Sequence, residues 1–519
     1  MITCKVSKMK ALLDTNIIIH RETDRIMNQD IGTLFKWIDK GKYTKCIHPL
    51  TIEEIQRYKD KTTVDTFLIK LESYTLLKTL APLSIEVEQL SLKIDKTEND
   101  KNDTLLLNEL YNNRVDLLIS EDRKIHYKAS LLKISEMVFT IDSFLEKVVS
   151  ENPELVNYKV LSVTKQLFGN INLKDPFFDS FRDDYQGFDK WFNKKSDEIA
   201  YVTHNQGRIL SFLYLKSERK DENYMDITPH FSTKRRLKIG TFKVVSNGVR
   251  LGERFLKIIF DNALRFKVEE IYVTIFNKRE EQNRLIALLE NWGFVLYGKK
   301  TTPNGDELVY TRNFIPFFSF ENPRVTFPFI PLNSNIFIVP IYPEYHTELL
   351  PDSMLTTESP YNFIENEPHR NAISKVYISR SIKRDVKKGD VLIFYRTAER
   401  GSAYYTSVIT TIGIVENKIE NISDEKDFIQ KCRKRSVFTD NELINQWNHK
   451  TNSRPFIINF LYALSFEKGK RINRKRLLDL GILSGEEKEL RGLKQISRDH
   501  FLMILKEAGV DESIIVNKT

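Results

Sequence analysis

Cysteine is nearly absent from this 519-residue chain: Cys4, Cys46 and Cys432 are its only three. Their wide spacing excludes a disulfide framework and a zinc-binding pattern, and implies a reduced, cytoplasmic setting. Long apolar runs are lacking too. No stretch of about 18 consecutive apolar residues occurs, which argues against a spanning helix and predicts no membrane partner. The opening MITCKVSKMKALLDTN lacks the pattern of a cleavable secretory leader. No internal repeat and no low-complexity tract is present, so a solenoid is excluded. Charge of one sign is also missing. The formal net charge is +9, but acids and bases balance over the first 150 residues and the excess is shared by the rest. Global charge therefore argues only weakly for a polyanionic partner, and local clusters must carry that case.

Core material is abundant. Hydrophobic residues make up 41% of the chain, with 33 Phe and 21 Tyr, and this length exceeds what one core serves, so several domains are expected. In the first 150 residues the short apolar runs KALLD (10–14), KCIHPL (45–50), LLIS (117–120) and MVFT (137–140) alternate with helix-length segments. That alternation predicts a parallel α/β sheet, with ligands gathered at the C-terminal ends of its strands. The polar KIDKTENDKND (93–103) reads as an exposed connection or a helix start. From about residue 170 the texture becomes aromatic and irregular. The runs EIAYVTH and RILSFLYLK then flank Asn205-Gln206-Gly207, which predicts a hairpin. A strand (LKIGTFKV), a glycine-bearing turn, an amphipathic helix (GERFLKIIFDNALRF), and a further strand, helix and strand pair complete an α+β unit near 314. The stretch 314–333, rich in Pro and Phe, reads as a linker that packs on a neighbour. Beyond it, NIFIVPI, KVYIS, DVLIFYR, YYTSVITTIGIVE and FIINFLYAL predict a small β-barrel with helices.

Four acidic residues fall where strands should end or helices begin. Asp14 closes LLD, Glu54 lies in HPLTIEEI, Asp103 is expected to open the helix DTLLLNEL, and Asp122 follows LLIS. Any one of them alone is an ordinary helix cap; the ordered set is not. Carboxylates converging at one sheet edge bind Mg2+ or Mn2+, which take oxygen ligands and activate water against a phosphodiester. Glu53 is an alternative to Glu54, and Ser120 and Asn16 are candidate supporting donors. The segments LLDTNIII, HPLTIEEI and DTLLLNELYNNRVDLLISED, in this order, resemble the PIN-domain nucleases over residues 8–150. The resemblance implies a divalent-metal-dependent endoribonuclease in which Asp14, Glu54, Asp103 and Asp122 are both metal ligands and catalytic residues.

The motif SNGVRLGERFL (246–256) lies between a strand and a helix, where glycines let backbone amides approach phosphate. With the strand VTIF and the ending LLENWGF it resembles the GNAT acetyltransferases over 165–314. That likeness implies acetyl-CoA as cofactor, its pyrophosphate held by Asn247, Gly248, Val249, Arg250, Leu251, Gly252 and Glu253. Arg250 stands where the family loop commonly has glycine. Leu289 replaces its frequent tyrosine acid, and Gln282 its usual asparagine. These departures count against acetyl transfer. Farther on, NIFIVPIYPEYH, DVLIFYR, TTIGIVE and LRGLKQISRDHFLMIL resemble the PUA-like superfamily, near its EVE and ASCH members, over 333–512. The resemblance implies a pocket for RNA or a modified base beside the sheet. The basic clusters KCRKRS (431–436) and KGKRINRKR (468–476), with Tyr395, Tyr404, Tyr405 and Trp447, agree with it. Arg471, Arg474, Lys475 and Arg476 are expected to meet phosphates, and Tyr405 and Trp447 to stack on bases. His346, His369 and His449 lack ligand spacing and read as structural or surface residues.

The three resemblances imply a cytoplasmic ribonuclease of multidomain α/β and α+β architecture: a PIN-like parallel sheet, a GNAT-like α+β domain and a small PUA-like barrel. RNA is the expected partner. The domain order further implies a toxin or stress-response effector, for which a cognate inhibitor protein is the matching partner. Two rivals stand beside this reading: an RNA-tethered N-acetyltransferase with a secondary nuclease fold, and a non-catalytic RNA-binding adaptor. Leu289 and Arg250 weigh against the first, and the complete acidic set against the second. The sequence carries no signal for oligomeric state, target RNA or acetyl acceptor.

Overall fold

A computed structural model describes residues 9–22, 43–57, 71–141, 163–205, 207–245, 251–353, 372–398, 403–432, 436–450, 453–486 and 489–516, with a few isolated positions between them. The chain divides into two compact units, residues 1–157 with 245–248 and residues 158–244 with 249–519. Among the described residues no helix is long and apolar enough to cross a membrane.

The first unit is built on β1 (Lys10–Leu13), β2 (Thr44–Ile47), β3 (Thr75–Leu76), β4 (Leu117–Ile119) and β5 (Val138–Phe139). All pair in parallel, in the order β3-β2-β1-β4-β5. The central strands read as unbroken apolar runs because both of their faces are covered. Leu12, Cys46 and Leu118 pack with Leu106, Leu107, Leu110 and Ile125 from the helices. These helices are α1 (Thr15–Glu22), α2 (Pro49–Gln56), α3 (Ile85–Ile94), α4 (Glu98–Tyr111) and α5 (Arg123–Leu131). The polar stretch 93–103 is the end of α3 and the start of α4, whose first turn is closed by a capping box between Thr97 and Asp100. Asp103 therefore lies in the second turn and does not open the helix. The strand order turns back at β1, so the chain leaves β1, β2 and β4 around one crevice at their C-terminal ends.

In the second unit an eight-stranded mixed sheet has the order β6-β7-β8-β10-β11-β13-β12-β9. Its strands are β6 (Thr164–Leu167), β7 (Ile199–Asn205), β8 (Arg208–Glu218), β9 (Ile227–Thr228), β10 (Arg236–Val244), β11 (Glu270–Ile275), β12 (Val295–Thr302) and β13 (Gly305–Asn313). The expected hairpin is β7–β8, turning at Gly207 with φ +79. Strand β10 is paired to β8 along its whole length, yet runs parallel to β11 only from Arg236 to Ile239. Its register shifts at Gly240. The helices α6 (Leu251–Arg265) and α7 (Glu280–Asn291) carry the buried stripes that cover this sheet.

The stretch 314–333 is folded into the unit. Phe314, Phe318, Phe327 and Phe329 are buried, and Ile330–Pro331 (β14) pairs with Ile515–Val516 (β22) near the other end of the described chain. A seven-stranded mixed sheet follows: β15 (Ile336–Ile341), β16 (Ser374–Ser379), β17 (Val391–Arg396), β18 (Val408–Ile419), β19 (Phe456–Ser465), β20 (Ile472–Asn473) and β21 (Lys494–Ile496). Its order is β16-β19-β18-β17-β15-β21, with β20 on β18, so among the described strands the path is open where a closed barrel was expected. A single hydrophobic cluster runs from Leu237, Phe255 and Phe260 through Phe327 and Phe329 to Ile338, Ile393 and Phe501.

Candidate functional site

The crevice of the first unit collects the expected carboxylates. Asp14 follows β1 directly and is buried, 6% exposed. Its amide donates to the Ile119 carbonyl of β4 (3.1 Å), and its Oδ2 accepts from Ser120 Oγ (2.7 Å). The same Ser120 oxygen accepts the Asp122 amide (3.0 Å), so one hydroxyl links the ends of β1 and β4. Glu54, and not the exposed Glu53, is held: Asn102 Nδ2 donates to Glu54 Oε1 at 3.0 Å, which ties α2 to α4 one residue before Asp103. Asp122 caps α5, its Oδ1 accepting the Lys124 amide at 2.6 Å. His48, 1% exposed, caps α2 by accepting the Leu50 amide (3.2 Å), and burial lowers its pKa to about 4, which leaves the ring neutral.

Electrostatics bind these residues together. Burial, reinforced by the charges of Asp122 and Asp14, pushes the Asp103 carboxyl up to about 7. Burial also raises Asp14; Ser120 and the Asn16 amide oppose the rise, while Asp122 and Glu54 add to it. The nearest lysines are already committed. Lys128 forms an ion pair with Asp95 (2.7 Å, both about 1% exposed), and Lys124 pairs with Asp100 (2.6 Å). Two carboxyls raised by burial and by neighbouring acids, with the nearby lysines paired elsewhere, have chemistry compatible with a hard divalent cation. The coordination shell itself is not assembled: among the described residues no three His, Cys, Asp or Glu side chains stand close enough to hold a metal ion. Sequence reasoning passed over Asn102, although an amide beside a candidate ligand is a readable signal.

Of the glycine loop, Asn247, Gly248, Val249 and Arg250 lie outside the described residues. Leu251, Gly252 and Glu253 form the first turn of α6, and their side chains serve packing. A Cβ on Gly252 would come within 2.8 Å of Leu288 Cδ2, so glycine there lets α6 approach α7. Glu253 is buried, and its Oε2 accepts the amides of Ile373 (2.8 Å) and Ser374 (3.3 Å), so its carboxylate is engaged within the second unit. Arg254 next to it makes a bidentate bond to Asp352, 2.6 Å on each arm. Leu289 is a fully buried core residue, and Gln282 caps α7 by accepting the Lys278 and Arg279 amides (3.0 Å each).

The residues expected to meet RNA fall into two places. Helix α9 (Arg474–Asp479) begins where the Arg474 amide donates to the Ser407 carbonyl (2.9 Å), beside the short helix Ala403–Thr406 that carries Tyr405, 63% exposed. Lys475 and Arg476 are exposed there but paired, with Asp479 (2.9 Å) and Glu507 (2.7 Å). Arg471 and Arg474 are half-buried. Trp447 is elsewhere, on α8 (Asp440–Asn448), and is 6% exposed with Phe428 against one face. Its expected role as an open stacking platform is corrected: the indole is a core group. Tyr395 is likewise buried, and Arg433, Lys434 and Arg435 of the other basic cluster lie outside the described residues.

No family model and no curated protein matches the chain. Stretches of it are similar to solved GNAT structures. A GNAT family acetyltransferase from Elizabethkingia anophelis with acetyl-CoA bound is 10% identical, over 30% of this chain and 97% of that one, at a TM-score of 0.22. An acyl-CoA N-acyltransferase from Pseudomonas aeruginosa is 17% identical over 29% and 99% (TM-score 0.20). A GNAT family acetyltransferase from Streptococcus agalactiae is 16% identical over 30% and 98% (TM-score 0.19). Scores this low carry no argument, so the sheet is read from its own pairing.

Proposed function

We propose that the first unit is a divalent-metal-dependent endoribonuclease of the PIN type. The observation that supports this reading is the placement of Asp14, Glu54, Asp103 and Asp122 beside the turning point of a parallel sheet of order β3-β2-β1-β4-β5, where the charges of Glu54 and Asp122 act on Asp14 and those of Asp122 and Asp14 act on Asp103. Mg2+ or Mn2+ held by these four carboxylates would lower the pKa of a bound water and neutralise charge on a phosphodiester. The protein's part is positional. Ser120 holds Asp14 in one rotamer, Asn102 selects Glu54 over Glu53, and the helix cap fixes one oxygen of Asp122. RNA is the proposed substrate, and the exposed Tyr405 is proposed to stack on a base. A cleavage assay on single-stranded RNA, with magnesium and with chelator, tests the reading. Cleavage should need the metal and vanish in Asp14→Asn and Asp122→Asn at unchanged fold; metal-independent cleavage or active variants would reject it.

A specific observation favours a second role for the other unit, acetyl-CoA binding. After Ile239 and Val273, β10 and β11 part company, while β10 continues to Val244 paired only on its β8 side. Backbone groups of Thr241–Val244 are left on an open edge of the kind that an extended, amide-bearing ligand can join as an added strand. The buried Leu289 supplies no acid for the transfer step, so binding is proposed without catalysis. Titration calorimetry of the full chain with acetyl-CoA decides it: a micromolar complex is expected, and no heat at millimolar ligand would remove the claim.

A further inference from the structure

Three strand ends meet at one edge of the seven-stranded sheet. Ser379 closing β16 lies opposite Phe456 opening β19, and Ile419 closing β18 lies opposite Ile457. The chain just beyond these ends, together with α8, encloses a recess of about 380 Å³ lined by Ile382, Arg384, Glu420, Trp447, Arg454 and Pro455 among others. That volume suits a small ligand.

Its two guanidinium groups are fixed in place. Arg454 lies over the indole of Trp447, 4.6 Å from the ring centroid, and its Nη1 donates to the Trp447 carbonyl at 2.5 Å. Arg384 lies over the Phe456 ring at 4.9 Å, and its Nη2 donates to the Arg454 carbonyl at 2.5 Å. Arg454 Nη1 also reaches Asn448 Oδ1 at 3.4 Å, so each group is held by one ring and one or two acceptors, while a guanidinium has five N–H donors to place. Among the described residues neither forms an ion pair; the one acid of the lining, Glu420, is bonded to Lys418 at 3.0 Å. Among the described residues, two guanidinium groups thus face one lining carboxylate that Lys418 already engages, which leaves the recess a surplus of positive charge. At the mouth, Ile382 is 95% exposed and Pro455 adds apolar surface.

We propose that this recess binds a nucleotide through its terminal phosphate, with Arg384 and Arg454 as the phosphate fork. Paired guanidinium groups match the bidentate geometry of a phosphate, and a guanidinium already stacked on an indole offers its outer plane to a base. The apolar mouth covers the remaining ring surface. Trp447 acts here by orienting Arg454 and makes no stack of its own with the ligand. The same chemistry is presented by a free nucleoside monophosphate and by the 5′-phosphate end of an RNA strand. The proposal does not rest on the nuclease reading.

The test is equilibrium binding to the full chain, in chelator, of the four nucleoside monophosphates, inorganic phosphate, and a short oligonucleotide with a 5′-phosphate or a 5′-hydroxyl. At least one phosphorylated nucleotide ligand should bind more tightly than inorganic phosphate, and Arg384→Gln and Arg454→Gln should each weaken it tenfold or more. Because Arg454 also ties down its loop, Ile382→Glu is the control that disturbs no packing; its carboxylate at the mouth should weaken binding to a similar degree. Mononucleotide binding as tight as that of the phosphorylated strand identifies a free nucleotide. A tenfold preference for the phosphorylated strand over both the mononucleotide and the hydroxyl strand identifies an RNA end. The proposal is overturned if nothing phosphorylated binds better than inorganic phosphate, or if binding is the same in Arg384→Gln and Ile382→Glu as in the wild type.

Discussion

On the proposed nuclease reading, a proton and a divalent cation would compete for Asp103. Its carboxyl is raised from 3.8 to about 7, first by burial and then by Asp122 and Asp14. Between those values the folded chain binds a proton that the unfolded chain has released, so metal-free stability falls as pH rises from about 4 to 7. A cation among the carboxylates pulls the pKa back down and removes the loss. Urea denaturation across this range should therefore show a falling stability in chelator, a flatter profile in magnesium, and a flatter profile in Asp103→Asn without metal. An Asp103→Asn profile as steep as the wild type's would show that the proton sits elsewhere. Asn102 gives a second check. In Asn102→Ala the donor to Glu54 is lost, and metal affinity or cleavage should drop by about 10- to 100-fold while the melting temperature moves little. Of this candidate site, the places of Asp14 and Asp122 in the fold were legible because one directly follows β1 and the other lies three residues beyond the end of β4. Asp103 was placed one turn early, since the apolar run DTLLLNEL masks a helix that begins at Glu98; the Thr-x-x-Asp cap at 97–100 was the available signal. The choice of Glu54 over Glu53 was not legible at all, because Asn102, 48 residues away, makes it.

At the scale of the element, β10 departs most from a regular strand. Its register shift falls at Gly240, where a Cβ would meet Tyr214 Cδ1 at 2.6 Å. The glycine lets the ring lie across the strand at the level where β10 and β11 separate. Gly240→Ala should cost about 1–3 kcal/mol, the range for forcing extra carbon into a packed site. If the parting strands hold acetyl-CoA, it should also weaken that binding. A melting curve with and without acetyl-CoA reads both effects, and an unchanged curve would show that Tyr214 moves aside freely. Strand-rich patterns such as RILSFLYLK and LKIGTFKV announced the hairpin and the mixed sheet, because local alternation and turn chemistry decide those. The parting of β10 from β11 is set by pairing across the sheet, and no local pattern encodes it. Trp447 shows the same limit: an aromatic beside a basic cluster reads as a surface platform until Phe428 and Cys432 are seen packed around it.

Across the whole molecule, the stretch 314–333 decides how the second unit unfolds. Arg312 at the end of β13 lies over the Phe260 ring, 4.1 Å from its centroid, and donates to the carbonyls of Val325 and Phe327. Burial lowers this guanidinium to about 9, and the carbonyls and the ring stand in for a carboxylate partner. Helix α6 adds ties from its other end, through Glu253 to Ile373 and Ser374 and through Arg254 to Asp352. One hydrophobic cluster is common to both sheets, and it is larger than the clusters each keeps to itself, around Phe337, Phe394 and Phe460 in one and around Tyr224, Phe231 and Tyr272 in the other. The second unit should accordingly melt in a single transition with equal calorimetric and van't Hoff enthalpies. A chain ending at residue 313 should lose that transition, bind a hydrophobic dye and be cut quickly by protease, because Phe260 and Trp292 lose the Phe314 and Phe327 rings that cover them. Asp352→Asn should lower the single transition by about 1–3 kcal/mol without splitting it, since it removes one charged partner of Arg254 and leaves the shared core intact. Two separable transitions in the wild type, or a stable and soluble chain ending at residue 313, would mean that each sheet closes its own core and that the contacts of α6 are incidental to the fold.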